Sequence, residues 1–284
     1  MLSRRTPRSK PSAATALAAI CAAVLCTLAI AAGARGASGF AAVQLPSEGA
    51  RIPILVYHRF GSAVADSMTV TNAVFESQLQ YIKENGYTVV PLRTVVEYLM
   101  GKGPPPPARS VVVTADDGHR SVFTDMFPIV RKYNIPVTLF IYPSAISNAN
   151  YAMTWEQLGE LKGTGLFEIE SHTYWHPNFH IEKRRLSAEA YGKFVDSQLS
   201  KSRQVLEHRL GGHVTMLSWP FGIYDDELNA AAAKSGYVAA FTIERRKVSR
   251  GDNPMALPRF IVTNGDVGKR FGSLLPAHTP GTSG

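Results

Sequence analysis

The sequence predicts an α/β fold, a parallel β/α barrel of seven or eight strands, and three observations carry that prediction. Short β-branched or aromatic runs of strand length recur along the chain, helical stripes separate them, and residues able to do chemistry stand where the runs end. A chain of 284 residues is long enough to bury one large core, and α/β barrels commonly fill this length as one domain. In such barrels the site is built at the C-terminal ends of the strands. His58, Asp116, Asp117, His172 and the pair Pro220 and Phe221 each fall at such an end and are expected to meet.

The elements follow in order. Arg4, Arg5, Arg8 and Lys10 precede an uncharged Ala- and Leu-rich stretch from Pro11 to Ala34, the layout of a basic n-region and an apolar h-region. Residues 1–34 therefore read as a signal peptide cut near Ala32-Gly33-Ala34, or as a retained anchor, since the stretch is close to the ~20 residues that span a bilayer. Either form exports the domain to a periplasmic or extracellular site, and the second tethers it to the inner membrane with its basic end cytoplasmic. Residues 35–50 read as a flexible stalk of small residues, and residues 51–264 as the catalytic domain.

Ile52 to Tyr57 is a buried strand delivering His58, and Arg59-Phe60-Gly61 turns the chain away. Phe75, Leu79 and Ile82 share one helical face between Thr71 and Asn85, with Gly86 as the stop. Thr88 to Val90 is a short strand, Leu92 to Met100 a helix, and the prolines from 104 to 107 a stiff connector into the strand Val111 to Ala115. Val122, Met126, Ile129, Val130 and Tyr133 form the next helical stripe. Strands then follow at Val137 to Tyr142, Phe167 to Ser171, Val214 to Trp219, Val238 to Thr242 and Phe260 to Val262. Between them lie helices at Trp155 to Leu161, from an N-cap at Ser187 to about Leu210, and from Asp225. Gly and Pro punctuate residues 265–284, which read as a C-terminal tail.

Composition excludes some classes. The formal charge of +8 falls to +4 once the four basic residues of the leader are removed, and no basic run with interleaved aromatics occurs in the body, so nucleic acid is not an expected partner. Cys21 and Cys26 are the only cysteines and lie inside the leader, so a cleaved product uses neither disulfides nor thiolate ligands.

Two motifs carry the chemistry. The strand Val111 to Ala115 ends in Asp116-Asp117-Gly118, and the strand Phe167 to Ser171 delivers His172-Thr173-Tyr174-Trp175-His176-Pro177. One carboxylate and two imidazoles suit zinc or a similar divalent ion, so Asp117, His172 and His176 can close on one metal. Pro177 disfavours helical backbone at His176, which places the histidines on a strand end and its loop. Adjacent strand residues point opposite ways, a physical reason for Asp116 and Asp117 to divide their tasks.

An Asp-Asp-Gly strand followed by Ser-His-Thr-x-x-His-Pro resembles the first two motifs of the polysaccharide deacetylases, the NodB-homology or carbohydrate esterase family four enzymes. The resemblance runs from about Ile52 to Val262 and implies a distorted seven-stranded barrel. It implies Asp116 as the catalytic base, and Asp117, His172 and His176 as ligands of one divalent ion, with zinc expected and cobalt, nickel or manganese also suited. Tyr57-His58 resembles the motif that supplies the general acid in the poly-β-1,6-N-acetylglucosamine deacetylase branch; His278, in Leu274-Leu275-Pro276-Ala277-His278, is the alternative acid.

Ser218-Trp219-Pro220-Phe221-Gly222 resembles the third motif, whose aromatic residue walls the substrate groove. That implies substrate-facing roles for Trp219, Pro220 and Phe221, and Arg259 is either a cation near the base or a surface arginine. Three departures stand out: Ser218 and Trp219 where relatives carry an arginine, Ala115 where an aromatic is common, and Glu170 where glycine is common. The implied activity is N-deacetylation of an acetylated polysaccharide, poly-β-1,6-N-acetylglucosamine first, then peptidoglycan, chitin oligomers and acetylated xylan. A two-carboxylate glycosidase and a silent polysaccharide-binding protein are the rival readings.

Overall fold

From β1 (Ile54–Tyr57) the chain passes through a small parallel pair, β2 (Arg59–Gly61) and β3 (Thr69–Thr71), then α1 (Asn72–Glu84), β4 (Thr88–Val89) and α2 (Leu92–Leu99) into β5 (Ser110–Asp116). After β5 come α3 (Phe127–Tyr133), β6 (Val137–Ile141), α4 (Trp155–Gly163), β7 (Phe167–Ser171), α5 (Phe179–Arg185), α6 (Ala188–Leu210), β8 (Met216–Ser218), α7 (Asp226–Lys234), β9 (Ala239–Phe241), β10 (Phe260–Ile261) and α8 (Gly268–Gly272). The computed structural model describes residues 49–276. The leader read at 1–34, nearly all of the stalk and His278 lie outside the described residues.

The main sheet runs β10-β1-β5-β6-β7-β8-β9, with every neighbouring pair parallel and β4 added against β5. Consecutive strands sit side by side and the last returns beside the first, as a right-handed run of β/α units requires. One isolated bridge, Phe241 to Leu257, joins the two ends of this path. The result is the parallel β/α barrel that the sequence predicts, in the distorted seven-stranded form that the family resemblance implies.

Alternation along the strands sorts the core into two layers. Ile54, Val112, Phe140, Met216, Ala239 and Phe241 face inward, where Leu92, Val95 and Val96 of α2 plug the barrel floor. Leu55, Val111, Val113, Leu139, Ile169 and Leu217 face outward against helix residues such as Phe75, Leu79 and Leu199. Sequence signals set the helix starts: Thr71, Thr154, Ser187 and Asp225 each accept a backbone N–H of the first turn.

The β7–β8 joint is unusual. Only Ser171 and Leu217 pair in register, and Glu170 Oε2 accepts the Thr215 and Met216 N–H groups at 2.8 and 2.7 Å, bolting the start of β8 to β7. Arg93 Nη2 donates to the other oxygen at 2.9 Å. Burial, with Glu168 beside it, pushes Glu170 up to about 8 against the pull of those donors and Arg93. The folded protein therefore holds a proton that the unfolded chain releases near 4.5, so this stabilisation is complete below about pH 4.5 and lost as pH rises through 8. Glu170→Gln is expected to remove that slope, at most ~1.4 kcal/mol per pH unit. Urea midpoints of both proteins from about pH 5 to 8.5 check it; identical pH slopes refute it.

Three expectations need correction. Residues 265–276 are packed structure rather than tail: Phe271, Leu274 and Leu275 are buried, Gln78 Nε2 donates to the Asp266 carbonyl at 2.7 Å, and Tyr87 Oη donates to that of Pro276 at 2.6 Å. The domain therefore extends past 264 to at least Pro276. The stripe after Gly118 is broken into a wide π-type turn at Val122–Met126 followed by α3, with Pro128 in the first turn of the helix. Finally, Arg59-Phe60-Gly61, read as a turn, is strand β2, paired in parallel with β3.

Candidate active site

At the C-terminal rim, β5 delivers Asp116 as its last residue, fully enclosed, and the chain leaves the strand through Asp117 at φ 75°. Strand alternation predicts opposite directions for the two carboxylates. The left-handed backbone at Asp117 cancels it, and both meet the same ring: His172 Nε2 lies 3.8 Å from Asp116 Oδ2 and 3.6 Å from Asp117 Oδ1.

β7 delivers His172 in the same way. Its Nδ1 lies 2.7 Å from the Ser218 carbonyl oxygen, to which it donates, so the lone pair on Nε2 is left for the site. The loop beyond is held in shape by its own polar groups: Ser171 Oγ accepts the Thr173 N–H at 3.2 Å and Thr173 Oγ1 accepts that of His176 at 3.3 Å. Thr173 and His176 both have left-handed backbones, at φ 63° and 62°. Such strain persists where the surroundings over-determine it and clusters at functional sites. His176 Nε2 is thereby placed 3.7 Å from Asp117 Oδ1. Burial, with His172 alongside, lowers His176 and keeps it a neutral donor.

These donors fit a metal. Single atoms of Asp117, His172 and His176 all lie within 4.8 Å of one another. A tetrahedral ion with bonds of about 2.0–2.2 Å separates its donors by about 3.4 Å, close to the two Asp117 distances given above. Among the described residues no other group of three such side chains converges in this way.

Asp116 is engaged elsewhere. Arg259, which is fully buried, grips it with Nη1 on Oδ1 at 2.9 Å and Nη2 on Oδ2 at 2.7 Å. Ser218 Oγ donates to Oδ2 at 2.8 Å and accepts from Arg259 Nη2 at 2.7 Å. Burial alone would raise Asp116, but Arg259, then His172 and His58, outweigh it and hold the carboxyl far below the usual range. His58 follows β1, its Nδ1 buried without a hydrogen-bond partner; burial lowers it, against the pull of Asp116 and Asp117.

The third motif divides. Phe221 is 56 % exposed, and its ring centroid lies 4.6 Å from that of His176. Its φ of 57° swings it over the rim, and Gly222 must follow because a Cβ there would sit 2.5 Å from Ile243 Cγ1. Pro220 is buried beneath. Trp219 does not line the groove: it is 1 % exposed, points outward with Leu217 against Phe179, and donates Nε1–H to the Met255 carbonyl at 2.9 Å. Arg259, likewise sealed from any polymer, belongs to Asp116.

Sequence reasoning missed Ser218, whose carbonyl sets His172 and whose hydroxyl sets Asp116. The signal was present, because alternation through Met216 and Leu217 turns Ser218 inward. Tyr142 was also missed; its ring lies 5.3 Å from that of His176, on the two-residue period of β6 after Phe140.

With this geometry in place, the relatives agree. The chain belongs to the polysaccharide deacetylase family: the "Polysaccharide deacetylase" family pattern matches residues 103–240, spanning the Asp-Asp-Gly and Ser-His motifs. The chain is 30 % identical over 227 residues to YxkH of Bacillus subtilis (strain 168), itself assigned to the polysaccharide deacetylases, covering 80 % of this chain and 76 % of that one. It is 29 % identical over 216 residues to the poly-β-1,6-N-acetyl-D-glucosamine N-deacetylase of Staphylococcus epidermidis, covering 72 % and 71 %. The fold matches that of the Streptococcus pyogenes deacetylase PplD in complex with acetate, with a TM-score of 0.71 at 23 % identity over 81 % of this chain and all of that one.

Proposed function

We propose that the chain is an exported, divalent-metal-dependent deacetylase that hydrolyses the N-acetyl groups of an N-acetylglucosamine polymer, with poly-β-1,6-N-acetylglucosamine as the favoured substrate. One observation carries the reading: three donors suited to a single ion stand beside a carboxylate that Arg259 and Ser218 hold ionised and fixed. The similarity to the Staphylococcus epidermidis enzyme supports the choice of polymer, and the basic-then-apolar leader supports export.

Asp117, His172 and His176 would hold the ion, zinc first by its donor set and cobalt, nickel or manganese next. When bound, such an ion lowers the pKa of water towards about 7 and polarises a carbonyl oxygen. Asp116 takes the proton of the attacking water on a carboxylate oxygen. Its pairing with Arg259 costs basicity and gains position, which suits a proton acceptor whose donor is already acidified. His58 carries to the departing amine the proton that Asp116 has taken from the water, as the C–N bond breaks. Phe221 walls the side of the groove nearest His176 and keeps bulk water from the reacting amide.

The test is acetate release by metal-reconstituted full-length protein from poly-β-1,6-N-acetylglucosamine, peptidoglycan, chitin oligomers and acetylated xylan. Release from the first at the highest kcat/KM is expected. New reducing ends without acetate would establish the glycosidase reading, and binding without any product that of a silent polysaccharide-binding protein. Fractionation of cells making the full chain tests export.

A further inference from the structure

The seam between β7 and β8 runs directly beneath the site, and its hydrogen bonding is irregular. On one side, β5 pairs with β6 at three positions and β6 with β7 at five, so Asp116, Asp117 and His172 stand at the ends of one continuous block. On the other side, Met216, Leu217 and Ser218 pair one for one with Ala239, Ala240 and Phe241, so Ser218 belongs to β8 and β9 together. Between the two blocks the backbone supplies a single pairing, Ser171 with Leu217.

Side chains make the rungs on either side of that pairing. Glu170 Oε2 accepts the Met216 N–H at 2.7 Å, and His172 Nδ1 donates to the Ser218 carbonyl at the same distance. Glu170, Ser171 and His172 thus meet Met216, Leu217 and Ser218 in step, and the last rung stands two residues, about 7 Å of strand, beyond the first. Glu170 Oε2 also accepts the Thr215 N–H at 2.8 Å. Arg93 of α2 straps the same joint: Nε donates to Glu168 Oε1 at 2.6 Å, Nη2 to Glu170 Oε1 at 2.9 Å and Nη1 to Thr215 Oγ1 at 3.2 Å, so one guanidinium holds both sides. Glu170 is wholly enclosed, and without it two backbone donors of the β8 start lose their acceptor.

What the joint fixes is the place of Ser218. Its carbonyl sets the ring of His172, and its hydroxyl donates to Asp116 Oδ2 at 2.8 Å. A shift of β8 against β7 therefore moves a metal ligand and the proton acceptor at once, and misplacement of such groups costs rate rather than ground-state binding.

We propose that Glu170 is a positioning residue for the reaction: by supplying the acceptor that the β7–β8 ladder lacks, it holds Ser218 in reach of both His172 and Asp116. The kinetic consequence rests on the deacetylase reading, whereas the setting of the His172 ring does not depend on it.

The experiment compares full-length wild type, Glu170→Ala and Glu170→Gln, with Leu79→Ala as a control that truncates a buried side chain of α1 outside the joint. With zinc restored and five-ring β-1,6-linked N-acetylglucosamine as substrate, Glu170→Ala should lower kcat by about tenfold and leave KM within about twofold. Glu170→Gln, which keeps an acceptor oxygen for both N–H groups, should retain most of the activity, and Leu79→Ala should retain it despite a lower Tm. Metal-free protein carrying isotope-labelled histidine gives a reading independent of catalysis. The Nδ1–H signal of His172, assigned by its absence from His172→Ala, should be protected from solvent exchange in wild type and Glu170→Gln and exchange freely in Glu170→Ala. Wild-type kcat with a protected signal in Glu170→Ala would make the glutamate a stabilising group only. Losses in Glu170→Gln or in Leu79→Ala equal to those in Glu170→Ala would overturn the positioning role as well. Should Glu170→Ala not fold, Glu170→Asp, whose shorter side chain draws the carboxylate back from β8, takes its place in every comparison. If the wild type releases no acetate, the deacetylase reading fails by itself and the His172 signal decides: free exchange in Glu170→Ala but not in Glu170→Gln upholds the joint, and protection in both overturns it.

Discussion

Changing His172 or His176 to Ala is expected to remove bound metal and deacetylase activity together. A three-ligand site has no donor to spare, and even changes to residues that only hydrogen-bond the ligands typically weaken metal binding about 10–100-fold, so deletion of a ligand should exceed that range. The two variants should differ in what else they lose. His172 is buried and tied through Nδ1 to the Ser218 carbonyl, so its truncation also opens a cavity and leaves an acceptor unpaired. His176 sits on the loop, packed between Tyr142 and Phe221, so its loss should lower stability less. Metal content by mass spectrometry on dialysed protein, with thermal unfolding alongside, separates binding from folding. Undiminished metal in both variants would show that these histidines are not the ligands.

Where the sequence was legible, it was so because a simple period governed. β5 reads as a strand because seven consecutive residues are buried on both faces, and Asp116 and His172 could be placed because each ends such a run. The same period, applied one residue further, would have turned Trp219 outward and Ser218 inward. Conformation that depends on tertiary surroundings was harder to read. Nothing local says that Asp117 takes a left-handed backbone and so joins Asp116 at one ring, because that cost is met by packing from other elements. Arg259 was ambiguous for a related reason: its pairing with Asp116 spans 143 residues of sequence.

Glu170 and the C-terminal segment show the opposite failure, in which composition misled. A glutamate where glycine is common stood out only as a departure from the family motif, but its Oε2 replaces ladder bonds that β7 and β8 do not make. Glycines and prolines after Gly265 suggested a loose tail, yet Phe271, Leu274 and Leu275 keep helical spacing and close over α1, with Phe271 edge-on to Tyr81 at 5.9 Å.

The remaining large effect belongs to Asp116. Asp116→Asn should keep the metal, because its carboxylate is committed to Arg259 and Ser218 rather than to the ligand cluster, and should lower kcat by about 10²–10⁴-fold through loss of the proton acceptor. It should also cost about 3–5 kcal/mol of stability, since the fully buried Arg259 is left without a counter-charge. Ser218→Ala separates positioning from packing. Alone, it removes the hydroxyl on Asp116 Oδ2 while the backbone carbonyl that holds His172 remains, so metal stays bound and kcat falls with little change in KM. Placed on Asp116→Asn it should cost no further activity, because a residue that acts through the carboxylate has nothing left to position. Additive losses in the double variant would make Ser218 a packing residue only. Loss of metal from Asp116→Asn but not from Asp117→Asn would mean that the two aspartates hold each other's roles.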